Sequence, residues 1–185
     1  MKGDEMGLMN GRYSGIQQRF SLHFDERPAD RVDLLVVHNI SLPLGQFGNG
    51  YIDQLFMGSL DCKAEASFEV LQGLLVAPHF LIDREGKITQ YVATDKRAWH
   101  AGISCFNGEE NCNDFSLGIE LEGTDYTAFT QLQYERLIYL TKLIMLDFPA
   151  ITPNRIVGHS DIAPERKSDP GPHFDWMFFK QKLIS

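Results

Sequence analysis

The sequence predicts a mixed α/β fold. Two observations carry this expectation: short β-branched apolar runs recur along the chain, and a longer segment late in the chain has the spacing of an amphipathic helix. The chain has 185 residues, of which 43% are hydrophobic, enough to bury one core. We therefore expect residues 1–185 to form a single domain, with residues 1–31 as a polar N-terminal arm packed on it.

The predicted strands are compact apolar runs bounded by turn residues. One of them, "HFLIDREGKITQYV", is typical of a hairpin, because two alternating segments flank a turn at Glu85 and Gly86. Strands are expected at residues 33–40, within the hairpin at 79–92, and at 115–123 and 155–159.

The clearest predicted helix covers residues 130–148, where Thr130 can act as the N-cap and Pro149 ends the pattern. Its apolar side chains are expected on roughly one face: Leu132, Leu137, Leu140, Leu143 and Ile144. Shorter helices are predicted at residues 51–58 and 174–184.

Charge and cysteine content exclude several classes of protein. The net charge is −8 and no cluster of Lys or Arg is present, so we expect no nucleic-acid partner. Three Cys without a C-x-x-C pair argue against a disulfide framework and favour a reducing compartment. No apolar run approaches the ~18 residues of a membrane helix, and the N-terminus lacks the apolar segment of a signal peptide. We expect a cytoplasmic protein without a membrane anchor.

Two histidines and one aspartate are the candidate metal ligands. His38 ends an apolar strand, and His159 follows a short strand and a glycine. Asp169 precedes Pro170, which restricts its backbone to a narrow range. Two imidazoles and one carboxylate make a zinc site with an open fourth position, as in catalytic zinc sites. The alternatives are ordinary core histidines and a turn-capping aspartate, and the long spacing does not decide between them.

Glu120 and Lys167 are the candidate catalytic groups. Glu120 and Glu122 share one face of the strand "GIELEG", so Glu120 could be a general base beside a metal. The alternative is a salt-bridged edge strand. Lys167 lies two residues before Asp169 and would share its face if the run is extended, although a solvent-facing lysine is the commoner outcome.

The remaining titratable residues of segment 158–176 have structural interpretations. Asp161 is expected to cap a turn, although an H-x-D pair with His159 could also bind metal. Glu165 and Arg166 are expected to form a solvated or structural pair, and His173 to lie at the surface or near the ligands.

Five segments, in this order, resemble the zinc-dependent N-acetylmuramoyl-L-alanine amidases, whose fold is shared with peptidoglycan recognition proteins. The resemblance covers roughly residues 18–181, and its joint motifs are specific, whereas any one alone is not. The segments are "LLVVHNISLP", "HFLIDREGKITQYV", "DKRAWHAG", "CNDFSLGIELEG" and "GHSDIAPERKSDPGPHFDW".

The resemblance implies a mixed β-sheet flanked by helices, with a metal groove on one face. It implies Zn²⁺ held by His38, His159 and Asp169, with Glu120 as general base and Lys167 facing the oxyanion. Residues that match motif positions near the groove are substrate-binding candidates: Asn39, Trp99 and His100.

The implied reaction is hydrolysis of the amide between the lactyl group of 1,6-anhydro-N-acetylmuramic acid and L-alanine, in cytoplasmic peptidoglycan recycling. The implied partner is a small muropeptide, with no obligate protein partner. Two alternatives remain: an amidase acting on polymeric murein, and a muropeptide-binding protein without catalysis. The basic residues expected near Leu75 and Asn111 are absent, which leaves recognition of the distal stem peptide open.

Overall fold

The computed structural model describes residues 7–184 and has twelve short strands. The strands are β1 (Leu8–Met9), β2 (Arg12–Tyr13), β3 (Gln17–Gln18), β4 (Phe24–Glu26), β5 (Leu34–Ile40), β6 (Phe80–Ile82), β7 (Ile88–Gln90), β8 (Lys96–Ala98), β9 (Cys105–Phe106), β10 (Glu109–Glu110), β11 (Ser116–Glu122) and β12 (Ile156–Gly158). The α-helices are α1 (Tyr51–Phe56), α2 (Gln131–Asp147), α3 (His159–Ile162) and α4 (Trp176–Leu183). Helical turns of the 3-10 type cover Ala66–Leu71, Cys112–Asp114 and Pro153–Arg155.

A six-stranded mixed sheet in the order β12-β5-β11-β6-β7-β3 forms the centre of the fold. Strands β12, β5, β11 and β6 run parallel to one another, and β6 pairs with β7 as an antiparallel hairpin. Because the first four strands are parallel, their carboxyl ends meet at one edge of the sheet. The predicted fold class, a mixed sheet with flanking helices, is confirmed.

Alternation along β5 and β11 sends side chains to two different cores. Odd positions such as Val37 and Ile119 pack with the apolar faces of α2 and α4. Even positions of β5, such as Val36, pack on the opposite side with Phe115 and Ile162. His38 is one of these even positions of β5, and Glu120 is its partner on β11. Both therefore lie on the side of the sheet away from α2 and α4.

Most predicted elements are present, with corrections at two places. Leu132 was expected on the buried face of α2, but it is 50% exposed, because the buried stripe is formed by Leu137, Leu140 and Ile144. The strand expected at 155–159 ends at Gly158, and His159 begins α3.

The N-terminal segment is more regular than its polar sequence indicates. Within residues 7–31 it contributes four short strands, and β3 extends the central sheet by pairing with β7. Strand β4 pairs with β8, which comes directly before Trp99, a residue of the groove described below. Residues 1–6 of the predicted arm lie outside the described residues. Within residues 7–184, no helix combines the length and apolar character needed to span a membrane.

Replacing Thr130 by alanine should lower the free energy of unfolding by about 1 kcal/mol, because Thr130 is the N-cap of α2. Its Oγ1 accepts a hydrogen bond from the Gln133 amide, and the Thr130 amide donates one to the side-chain oxygen Oε1 of Gln133. Urea denaturation measures the change. Gln131→Ala, one residue along on the exposed face, is the control and should shift stability by less than about 0.5 kcal/mol. Equal losses in the two variants would contradict the capping role.

Candidate metal centre

Three elements bring the predicted ligands together at the carboxyl edge of the sheet. His38 lies near the end of β5, and His159 follows its parallel neighbour β12 directly. Asp169 lies in the loop after α3, and its carbonyl accepts a hydrogen bond from the Ser160 amide. Pro170 packs so closely on Gly158 that a Cβ there would lie 2.7 Å from the proline Cδ. The loop carrying Asp169 is therefore fixed against the start of α3.

The three ligand atoms face one another. The Nδ1 atoms of His38 and His159 are 2.9 Å apart, and each is 3.1 Å from Asp169 Oδ2. Ligands around a tetrahedral zinc-sized ion are separated by about 3.3 Å, given metal–ligand distances near 2.0–2.1 Å. Two imidazole nitrogens and one carboxylate oxygen thus have the chemistry and the spacing that a small divalent cation requires.

The local pKa values favour the ionisation states that bind metal. Burial lowers the pKa of His38 to about 4, despite the opposing hydrogen bond to Asp169, so the imidazole is neutral. Burial raises the pKa of Asp169, but its contacts with the imidazoles of His159 and His38 lower it by more and hold the pKa well below its ordinary range. A neutral imidazole and an ionised carboxylate both offer lone pairs to a cation.

Each imidazole is also held through its second nitrogen. His159 Nε2 lies 2.9 Å from the Ala101 carbonyl, which can only accept a hydrogen bond, so the proton is on Nε2 and Nδ1 is free. His38 Nε2 lies 3.0 Å from His100 Nδ1. Such outer contacts fix the tautomer and ring orientation of metal-binding histidines.

Glu120 lies directly beside His38, because the two residues are Cα partners in the parallel pairing of β11 with β5. Its Oε2 atom is shielded from solvent and has no hydrogen-bond partner among the described residues. Burial, followed by the charge of Asp169, raises the pKa of Glu120 well above its ordinary range, and Lys167 opposes this only partly. The alternative of an edge strand is wrong, since β11 is paired on both sides.

A groove of about 460 Å³ opens over these residues. Glu120, His159, Lys167 and Asp169 line it, whereas His38 is buried beneath. Lys167 is exposed and acts electrostatically on Glu120 and His38. The groove also has an apolar lining, formed by Leu42, Leu55, Phe56, Leu71, Leu74, Leu75 and Val76.

The three substrate-binding candidates also line the groove, but they differ in how far their polar atoms are already hydrogen bonded within the protein. Trp99 presents a ring stacked on His23 at 6.3 Å, and its indole is hydrogen bonded to Asp25. The Asn39 Nδ2 group donates to Asp125 and to the Pro170 carbonyl. Both ring nitrogens of His100 have partners within the protein.

Asp125 is a residue that the sequence reasoning missed. Its Oδ1 accepts a hydrogen bond from Asn39 at 2.7 Å, and its Oδ2 accepts one from Ser168 at 2.5 Å. It therefore ties the end of β5 to the loop that carries Lys167 and Asp169. The signal available was its position in the turn after a strand end, the same signal that singled out His38.

The other titratable residues of segment 158–176 have local roles. Asp161 caps α3 by accepting from the Gly158 amide at 2.7 Å, as expected. His173 is exposed. Glu165 and Arg166 are both exposed, as expected for a solvated pair, and Arg166 donates to the carbonyls of Ala101 and Ile103.

Comparison with known proteins agrees with this geometry. The family model described as N-acetylmuramoyl-L-alanine amidase matches residues 28–172. The chain is 52% identical over 181 residues to the 1,6-anhydro-N-acetylmuramyl-L-alanine amidase AmpD of Enterobacter cloacae, covering 97% of this chain and 96% of the relative.

Solved structures agree as well. A crystal structure of an AmpD selenomethionine derivative superposes with a TM-score of 0.93 at 51% identity, covering 96% of this chain and 99% of the other. The Escherichia coli amidase AmiD, solved in complex with the substrate anhydro-N-acetylmuramic acid-L-Ala-D-γ-Glu-L-Lys, superposes with a TM-score of 0.61 at 30% identity. That match covers 86% of this chain and 65% of AmiD. The chain belongs to the N-acetylmuramoyl-L-alanine amidase family.

Replacing Asp125 by alanine should release the loop around residues 167–171. Amide hydrogen exchange at Ser160 and Gly171, which donate to Asp169 and Ser168, should accelerate at least about tenfold, because hydrogen bonds to charged groups contribute about 1.5–3 kcal/mol each. Tyr126→Ala, an exposed neighbour, is the control and should leave these amides unchanged. Unaltered exchange in Asp125→Ala would show that other contacts hold the loop.

Proposed function

We propose that this chain is a zinc-dependent amidase that hydrolyses the amide bond between the lactyl group of 1,6-anhydro-N-acetylmuramic acid and L-alanine of the stem peptide. The observation that carries the proposal is the convergence of His38, His159 and Asp169 beside Glu120 under one groove. The relatives support the substrate, since AmpD is described as a 1,6-anhydro-N-acetylmuramyl-L-alanine amidase and AmiD was solved with an anhydromuropeptide.

Zinc is the metal that the donor set fits best. Two histidines and one carboxylate provide three ligands and leave a position for substrate or water, as in catalytic zinc sites. A zinc ion bound there supplies Lewis acidity, which polarises a carbonyl oxygen and makes water a stronger nucleophile at neutral pH. The protein contributes the fixed imidazole tautomers and the ionised Asp169 described above.

Glu120 is the proposed general base and acid. Its unpaired Oε2 in the groove can accept a proton from the attacking water as the water oxygen adds to the amide carbon. The same carboxyl can then deliver that proton to the alanine nitrogen as the carbon–nitrogen bond breaks. A pKa raised by burial suits this double role, since the group holds a proton more readily than an exposed glutamate does.

Lys167 is proposed to stabilise the negative charge that develops on the amide oxygen. It lines the groove together with Asp169 and Glu120. A cation placed where charge develops in the transition state lowers the barrier more than one that contacts only the ground state.

The groove suits a small sugar-peptide. Trp99 offers a flat face for a pyranose ring, and Asn39 keeps its side-chain oxygen available while its nitrogen is engaged. Leu75 lines the groove at a position where a basic residue was expected and offers no charge to stem-peptide carboxylates, so we infer that specificity rests on the groups next to the cleaved bond.

We further propose that the protein acts in the cytoplasm on muropeptides released from the wall, as a step of peptidoglycan recycling. The three cysteines, Cys62, Cys105 and Cys112, are unpaired, which fits a reducing compartment.

Incubating the zinc-loaded protein with an anhydro-muropeptide tests the proposal. Mass spectrometry should detect free stem peptide and 1,6-anhydro-N-acetylmuramic acid. Insoluble sacculi in a parallel reaction should be cleaved far more slowly. Equal cleavage of sacculi would favour the polymeric substrate instead, and micromolar binding without product would favour a receptor.

Two substitutions should separate chemistry from metal binding. Glu120→Gln removes the proton acceptor and should lower kcat by roughly 10²–10⁴-fold while one zinc per chain is retained. Asp169→Asn removes an anionic ligand and should lose zinc. Metal content by mass spectrometry and peptide release measure the two effects, and Glu85→Gln, in the exposed hairpin turn, is the matched control. Near-native turnover in Glu120→Gln would refute its assigned role.

A further inference from the structure

We propose that His100 is a positioning residue for the metal ligand His38, rather than a residue that binds substrate, and that Gly118 and Ser116 of β11 form its seat. This inference rests on the proposed metal role of His38. It replaces the substrate-binding role that the motif position of His100 implies.

The first observation is the hydrogen-bond chain. If His38 offers Nδ1 to the metal, its proton is on Nε2, which donates to His100 Nδ1 at 3.0 Å. His100 then carries its own proton on Nε2, which lies 3.1 Å from Ser116 Oγ. Both polar atoms of the His100 ring are thereby engaged, so none remains to contact a substrate.

The second observation is steric and independent of the first. A Cβ built on Gly118 would lie 2.5 Å from both Cγ and Nδ1 of the His100 ring. Real Cβ atoms do not approach this closely, so only glycine at position 118 leaves room for the ring. The Gly118 backbone amide meanwhile donates to His79 Nδ1, a bond that a side chain would not remove.

Together these contacts place residues 116, 118 and 120, which alternate along one face of β11, at the same site. Ser116 accepts from His100, Gly118 makes space for its ring, and Glu120 reaches the groove. The pairing of β11 with β5 places this face beside His38. The strand that carries the proposed base therefore also orients a metal ligand through His100.

Arg166 lies 3.4 Å from the second nitrogen of His159, but that nitrogen donates its hydrogen bond, at 2.9 Å, to the main-chain carbonyl of Ala101. That bond survives side-chain substitution, whereas the bond of His38 depends on the identity of residue 100. Zinc affinity should consequently respond to His100 variants according to whether they retain an acceptor at the Nδ1 position.

The test measures zinc affinity by competition with a chelator, in the full chain. His100→Phe keeps the ring and removes the acceptor, and should weaken zinc binding by about 10–100-fold, the range for outer partners of metal ligands. His100→Asn places an amide oxygen near the former Nδ1 position and should restore most of the affinity. Gly118→Ala displaces the His100 ring without removing any hydrogen-bonding group. Its zinc affinity should fall about as much as that of His100→Phe.

His79→Asn is the matched control. His79 is fully buried beside His100, with ring centroids 5.7 Å apart, but makes no hydrogen bond to His38. Its substitution should lower thermal stability without changing zinc affinity. The absorption spectrum of the Co²⁺-substituted protein should change in Gly118→Ala and His100→Phe and remain unchanged in His79→Asn.

Wild-type zinc affinity in folded His100→Phe would overturn the proposal. If that variant does not fold, wild-type affinity in Gly118→Ala would do so instead. A raised KM with unaltered zinc affinity would assign His100 to substrate binding. Should the wild-type protein bind zinc yet release no stem peptide, the proposed function would fail while the inference about His100 would stand.

Discussion

The site depends on the parallel pairing of β5 with β11 on one side and β12 on the other. This pairing places His38 opposite Glu120 and brings the end of β12, and hence His159, to the same edge. Backbone hydrogen bonds between buried strands hold these positions more rigidly than loops could. A slip of one residue in the β5–β11 register would turn Glu120 to the opposite face, among the side chains that pack against α2.

The same arrangement gives two neighbouring carboxyls opposite properties. Asp169 is held ionised by two imidazoles, whereas Glu120 has a buried oxygen without a partner and a raised pKa. One carboxyl is thereby suited to bind a cation and the other to exchange protons, a division of roles that environment alone can impose. Burial of the Glu120 oxygen without a hydrogen-bond partner lowers the stability of the fold, as is common where polar groups serve function.

Much of the fold could be predicted from patterns, because alternation and helical spacing are local signals. The hairpin at 79–92, the strand at 115–123 and the helix capped by Thr130 were predicted within one or two residues at most ends. Leu132 was misplaced because it lies in the first turn of α2, where the exposed end of the helix leaves an apolar residue unpacked. The strands within residues 7–31 were missed because they are too short to show a period.

The candidate ligands could be identified from the sequence, because two lie at strand ends and one lies in a loop restricted by proline. Their convergence at one site could not be predicted. It depends on strand order, which no local pattern carries. The contacts of Asp125 with Asn39 and Ser168, and of His100 with Ser116, join segments distant in sequence. They become visible only once the chain is folded. The roles of Asn39 and Trp99 in substrate binding stay predictions.

X-ray absorption at the zinc edge of the wild-type protein tests the central claim most directly. Two imidazoles and one carboxylate predict a first shell of nitrogen and oxygen near 2.0–2.1 Å, with the outer scattering of two imidazole rings. A sulfur ligand at about 2.3 Å, or the scattering of a single imidazole, would contradict the convergence of His38, His159 and Asp169 on one metal.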